Sequence, residues 1–270
     1  MATENHIYTG DIKDKAVSTS SLNTRIDINK KYQSKNFEQW LFKRLNVVPG
    51  EHILDVGCGT GAQSLRFLDM IGAQGSVSAI DLSQASVDQL IRTSSFDPRL
   101  TAVADDMANL EGLIKGCFPQ KKYTLAHSSY ALYYSPARMD VLRLMADSIH
   151  EFGRLAVFTP VSPHGMVNLA SKFSTIPAPV LESLDFGPNV LEPAFRSLFF
   201  EVEIHYFQSE MRVTSLIDFM DFYKATTYYD ENAVNDISRY AEERITKDGS
   251  VTYEKNGFLI IGREKRTKLA

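Results

Sequence analysis

The sequence predicts an α/β protein built on a doubly wound, mostly parallel sheet. Three observations carry that expectation. His52–Val56 is a short apolar run broken by one acid, Asp55, the pattern of a parallel strand covered on both faces. Gly57, Gly59 and Gly61 follow at once, and Ser64, Leu65, Phe67 and Leu68 then begin a helix with an apolar face. Further strand-like runs alternate with helical stretches along the chain, which is the element pattern of βα units.

Composition narrows the functional classes. A chain of 270 residues suits an α/β domain with additions, and 44% hydrophobic with 23% charged residues is ordinary for a protein with a sizeable core. A net charge of −4 gives no basic footprint for nucleic acid. Arg263, Lys265, Arg266 and Lys268 form a short cluster interrupted by Glu264, read as a solvated tail over 263–270. Two cysteines, Cys58 and Cys117, are too few for a disulfide framework and fit a reducing compartment. Residues 1–15 lack the apolar core of a signal peptide, and no apolar run approaches bilayer-crossing length. These features point to a cytoplasmic protein with no membrane or nucleic-acid partner; oligomeric state is not readable. No His/Cys/Asp/Glu cluster has metal-ligand spacing, so no metal site is expected.

Residues 1–35 read as an extension outside the core, with the polar stretch 18–21 mobile. Asn36 caps a helix to about Leu45 with Phe37, Trp40, Leu41 and Leu45 on one face. Pro49-Gly50 turns into the first strand. Residues 77–81 form the second strand, ending in Asp81, which with Ser83 also suits the N-cap of a helix around 85–91. Leu100–Ala104 is the third strand, followed by Asp105-Asp106-Met107, and residues 123–128 are the fourth. Ser129 to Ser135 lie beyond the carboxyl end of that strand, where open α/β sheets place ligands, and Pro136 suits the first turn of the next helix. Residues 153–159 form the fifth strand. Six prolines between 160 and 197 indicate an insertion of short helices, read as one wall of a substrate pocket. Residues 199–207 alternate like a strand. Thr214 or Ser215 then caps an aromatic helix, 231–247 is a more polar helix, Asp248-Gly249 turns, and residues 251–253 lead into the last strand over 257–261.

The glycine loop fits two cofactor classes. Gly57-x-Gly59-x-x-Ala62 formally satisfies the dinucleotide fingerprint. Asp55 argues against a pyrophosphate there and suits a cationic ligand. The segment Leu54-Asp55-Val56-Gly57-Cys58-Gly59-Thr60-Gly61 resembles motif I of the class I S-adenosylmethionine (SAM) methyltransferases. The resemblance deepens at Asp106, with Leu110 four residues on, and is closest to the group of ubiquinone, malonyl-carrier-protein and trans-aconitate methyltransferases. Thr124 departs from the aromatic-Asp pair that the family often shows at the fourth strand.

The resemblance covers 36–262 in architecture and 53–136 in motif detail. It implies a seven-stranded sheet with the last strand antiparallel, and an N-terminal segment over 1–35 that serves as a lid on a SAM-binding domain over 36–262. It implies SAM as cofactor, held by Asp55, Gly57, Cys58, Gly59, Gly61, Gln63, Asp81, Leu82, Asp105, Asp106, Met107 and Ser128. Asp81 would accept the ribose hydroxyls, and Asp106 the adenine amino group, with Asp105 as the competing register. The reaction is in-line methyl transfer to a small organic acceptor, for which the protein mainly aligns the partners and excludes water. His164, Tyr133 and Tyr134 are the candidate catalytic residues, and His127, inside the fourth strand, reads as a packed histidine. The alternatives are an NAD(P)-dependent oxidoreductase and a SAM-binding protein without turnover, which a sealed pocket would favour.

Overall fold

The computed structural model describes residues 11–266. Lys268 and residues 1–10 of the N-terminal segment lie outside the described residues. The chain opens with α1 (Asp11–Val17), α2 (Thr19–Tyr32) and α3 (Phe37–Leu45). It then alternates β1 (His52–Val56), α4 (Ala62–Ile71), β2 (Ser76–Asp81), α5 (Gln84–Thr93), β3 (Leu100–Ala104), α6 (Leu110–Gly116), β4 (Tyr123–Ser129), α7 (Arg138–Ser148) and β5 (Ile149–Pro160). The insertion follows as α8 (Gly165–Ala170), α9 (Ala178–Phe186), a π-helical turn and α10 (Glu192–Leu198). The chain ends with β6 (Phe199–Val213), α11 (Leu216–Lys224), α12 (Val234–Asp248) and β7 (Val251–Lys265).

The seven strands lie in the order β3-β2-β1-β4-β5-β7-β6, with β7 antiparallel to both neighbours and the other six parallel to one another. This is the expected doubly wound sheet. Its order reverses between β1 and β4, and a reversal opens a crevice at the carboxyl ends of those strands. Val56, Ile80, Leu125, Leu155, Val157 and Ile260 are wholly buried, because helices cover both faces of the sheet.

Several boundaries differ from the sequence reading. Ser18 caps α2 through its side chain, which accepts from the Ser21 N–H at 3.3 Å, so the 18–21 stretch is a helix start rather than a mobile linker. Pro136 precedes α7 instead of entering its first turn. β5 begins at Ile149, where an irregular pairing with β4 shifts register between Tyr123 and Leu125. β6 and β7 each run 15 residues, because their antiparallel ladder continues to the Val213–Val251 pair. Asn36 caps α3 by accepting from the Gln39 N–H at 2.8 Å, and Ser215 rather than Thr214 caps α11.

Candidate active site

The crevice at the sheet reversal opens into a cavity of about 830 Å³. That is toward the upper end of the range for small-molecule sites. Its floor is the β1–α4 loop. Gly57 and Gly59 have φ of 76° and 53°, conformations that side chains with a Cβ rarely adopt. A Cβ on Gly57 would lie 2.1 Å from the Ala131 Cβ, and one on Gly59 would lie 2.7 Å from a terminal methyl of Leu22. A side chain at Gly57 is therefore excluded while the β4 loop stays where it is, whereas one at Gly59 requires the Leu22 side chain to move.

Asp81, at the end of β2, fixes this floor. Its carboxylate accepts the Gly59 N–H at 2.8 Å through one oxygen and the Ser83 N–H at 2.9 Å through the other. Burial raises its pKa, opposed by those two hydrogen bonds. Asp105 and Asp106 line the next wall at the end of β3. Asp106 accepts from the Ala108 N–H, while Asp105 accepts from the Asp106 N–H and the Asn109 side chain. Met107 reaches back over Gly57. Gly57, Cys58, Gly59, Gln63, Asp81, Leu82, Asp105, Asp106 and Met107 thus meet in one space.

Three expected cofactor residues do not line it. Asp55 is buried beneath the loop, where it accepts the Ser64 hydroxyl at 2.5 Å and lies 3.0 Å from His127 Nδ1. Its two oxygens serve internal partners, which explains an acid inside an apolar strand without any ligand. His127 is accordingly a packed histidine, as expected. Ser128 is also fully buried, because the strand alternation turns the next residue, Ser129, to the cavity. Gly61 sits at the N-cap of α4, tucked against Leu90. The Cys58 thiol is pushed well above its usual pKa by burial and by the carboxylates of Asp55 and Asp81, which suits a small packed side chain.

The opposite end of the cavity is formed by the insertion, the β4–α7 loop and α2. His164, Val167, Val180 and Leu184 supply the insertion wall, and Tyr133 and Tyr134 face it with ring centroids 4.5 Å apart. Burial and the nearby Lys255 ammonium lower the His164 pKa to about 4, so the imidazole is neutral at pH 7. Three residues here went unnoticed in the sequence, Arg25, Tyr228 and Lys255, while Tyr130 comes from the expected stretch after β4. Tyr130 adopts φ of 56°, a left-handed conformation that a bulky residue holds only when its surroundings impose it. Its ring packs on Phe158 at 4.8 Å. Lys255 was legible in principle: Val251, Tyr253 and Lys255 share one face of β7, so a lysine continues a buried register.

α2 lies across the cavity and contributes Leu22, Arg25, Ile26, Asn29 and Lys30, with Gln33 at its C-cap. Its first turn is held to α5 by Thr19, 2.8 Å from the Ser86 hydroxyl, and by Asn23, which donates to Gln89 at 3.0 Å. Its last turn is held to α11 by the Tyr32 hydroxyl, which donates to Asp218 at 2.5 Å. Among the described residues no group of three or more His, Cys, Asp or Glu side chains could hold a metal ion, and no helix is long and apolar enough to cross a membrane.

A family model described as a methyltransferase domain matches residues 53–153, from β1 into β5. This is a SAM-dependent methyltransferase whose motif and sheet order resemble those of class I, and SAM is its cofactor. The dinucleotide alternative falls with it. The chain is 28% identical over 158 residues to the aklanonic acid methyltransferase DauC of a Streptomyces species, covering 56% of this chain and 68% of that enzyme. Two solved structures share the fold. Phosphoethanolamine N-methyltransferase 2 from Haemonchus contortus, solved with phosphomonomethylethanolamine and S-adenosylhomocysteine, has a TM-score of 0.52 at 11% identity, over 94% of this chain and 60% of that one. The [4+2]-cyclase SpnF has a TM-score of 0.50 at 16% identity, over 95% and 98%. These matches do not separate the ubiquinone, malonyl-carrier-protein and trans-aconitate group from other class I methyltransferases.

The cavity fits the cofactor on its own evidence. Glycines at 57 and 59 let a ligand approach the loop backbone, and Asp81, Asp105 and Asp106 place carboxylates along one wall. Each has lone pairs beyond those used internally.

Proposed function

We propose that this cavity holds SAM at the glycine-loop end and a small organic methyl acceptor at the insertion end. The observation that carries the reading is that one cavity joins the loop and the acids to a wall of tyrosines and aliphatic side chains. A single enclosed space is what lets donor and acceptor meet in line.

Bound SAM supplies a methyl carbon activated by its sulfonium. The chain's own residues supply position. In this reading the Gly57–Gly59 backbone and Asp81 seat the nucleoside, with Asp81 directing its remaining lone pairs at ribose hydroxyls. Asp105 or Asp106, beside the Met107 N–H, meets the adenine edge. Residues 160–197 form the acceptor wall within a domain over 36–262, and the N-terminal segment over 1–35 acts as a lid. α2 excludes water from the reacting atoms, which the contacts to α5 and α11 support. Tyr133 and Tyr134 shape the acceptor pocket. His164 is a neutral imidazole at pH 7, but a conjugate acid with a pKa of about 4 makes it a weak base, so we assign it a hydrogen-bonding role toward the acceptor rather than proton abstraction.

The experiment is a turnover screen that follows release of S-adenosylhomocysteine from SAM over a panel of small organic acceptors. Acceptor-dependent release supports the reading. Binding of S-adenosylhomocysteine with no release for any acceptor would favour a SAM-binding protein without turnover.

A further inference from the structure

Lys255 and Arg25 stand out because no acid among the described residues is paired with either of them. Lys255 comes from β7 and Arg25 from α2, and both face the acceptor end of the cavity. Neither makes a hydrogen bond or an ion pair with any described residue, and the Lys255 Nζ lies 5.9 Å above the Tyr130 ring. The four acids that line the cavity are Glu38, Asp81, Asp105 and Asp106. None of them acts on Lys255; the charge that does is the Arg25 guanidinium, which repels it. Both are half-buried, and a cation held partly out of water without an anion is costly, the more so when two repel each other. Proteins keep such an arrangement where a ligand completes it.

We propose that Lys255, with Arg25 on the lid helix beside it, forms an anion site at the acceptor end, and that the methyl acceptor is a small organic acid. This rests on the reading that the cavity takes SAM together with an acceptor. The surroundings fit an acid with an apolar body. Val167, Val180 and Leu184 offer aliphatic surface, and Tyr130 an aromatic face. The burial that lowers the Lys255 pKa to about 7 shows how poorly solvated its charge is, so an anion there gains more than it would at a surface. Because Arg25 sits on α2, an anionic acceptor would also tie the lid down.

SAM carries a carboxylate of its own, and the test separates the two sources. Isothermal titration of the protein saturated with S-adenosylhomocysteine compares benzoate, hexanoate and 2-naphthoate with their primary amides. At least one acid should bind tenfold or more tightly than its amide. Lys255→Met should abolish that preference, Lys255→Arg should restore most of it, and S-adenosylhomocysteine should bind all variants within about twofold of the parent. The proposal is overturned if no acid binds better than its amide, or if the preference survives Lys255→Met. It is equally overturned if Lys255→Met weakens S-adenosylhomocysteine but not 5′-methylthioadenosine, because the site would then serve the cofactor's carboxylate. Failure of the parent protein to bind S-adenosylhomocysteine at all would refute the underlying cofactor reading instead.

Discussion

Gly59 offers the sharpest perturbation of the cofactor floor. Its φ of 53° costs a residue with a Cβ about 1–2 kcal/mol. The new Cβ would meet a terminal methyl of Leu22 at 2.7 Å, and that methyl can swing aside. Gly59→Ala should therefore fold, with a melting temperature lowered by roughly 2–8 °C for a chain of this size. Gly59→Val adds two methyl groups over the loop and displaces Leu22 from the lid. It also strains the N–H that Asp81 accepts at 2.8 Å. Its affinity for S-adenosylhomocysteine should fall at least tenfold, about 1.4 kcal/mol or more. Gly57→Ala is the contrasting case, since its Cβ would lie 2.1 Å from the Ala131 Cβ, an atom tied to backbone, so stability should suffer more than at Gly59. Calorimetric titration alongside thermal melts checks both. A folded Gly59→Val protein that binds S-adenosylhomocysteine as tightly as the parent would refute the placement of the cofactor over this loop.

Other outcomes follow from the same geometry. Asp81→Ala removes two charge-assisted hydrogen bonds to backbone, each worth roughly 1.5–3 kcal/mol, so titration should show weaker S-adenosylhomocysteine binding together with a lower melting temperature. Asp55→Ala strands the Ser64 hydroxyl and His127 Nδ1, and denaturant unfolding should register a loss on the order of 2–5 kcal/mol. Thr19→Val with Asn23→Ala breaks the α2–α5 contacts, and stopped-flow measurements should show faster S-adenosylhomocysteine release. The pH dependence has a definite sign. The folded pKa of His164 lies near 4 against 6.5 when unfolded, so the unfolded state takes up the proton first as pH falls. Stability should decline from pH 6.5 towards 4, and His164→Asn should flatten that limb in melts across the range.

Much of the scaffold was legible because its signals are local and periodic. β1, the glycine loop and the Asp81 strand end follow from an apolar run, three glycines and an acid within 30 residues. Other features depend on tertiary context. α2 carries few apolar residues, Leu22, Ile26 and Ile28 among them, so its amphipathic stripe is faint, yet it covers the cavity. The lower halves of β6 and β7 are strands because each pairs with the other. Asp55 read as a ligand group because a buried acid needs a partner; the partners are Ser64, one helical turn into α4, and His127 on the neighbouring strand, a pairing set by the β1–β4 register. Lys255 was hidden by the same logic in reverse. Among the described residues it has no anionic partner.

The most direct test of the cofactor assignment is a thermal-shift panel with SAM, S-adenosylhomocysteine, NAD⁺ and NADP⁺. A ligand that binds only the native state raises the melting midpoint. The two adenosyl compounds should raise it and the two dinucleotides should leave it unchanged. A shift with the dinucleotides alone, or with none of the four, would contradict the account.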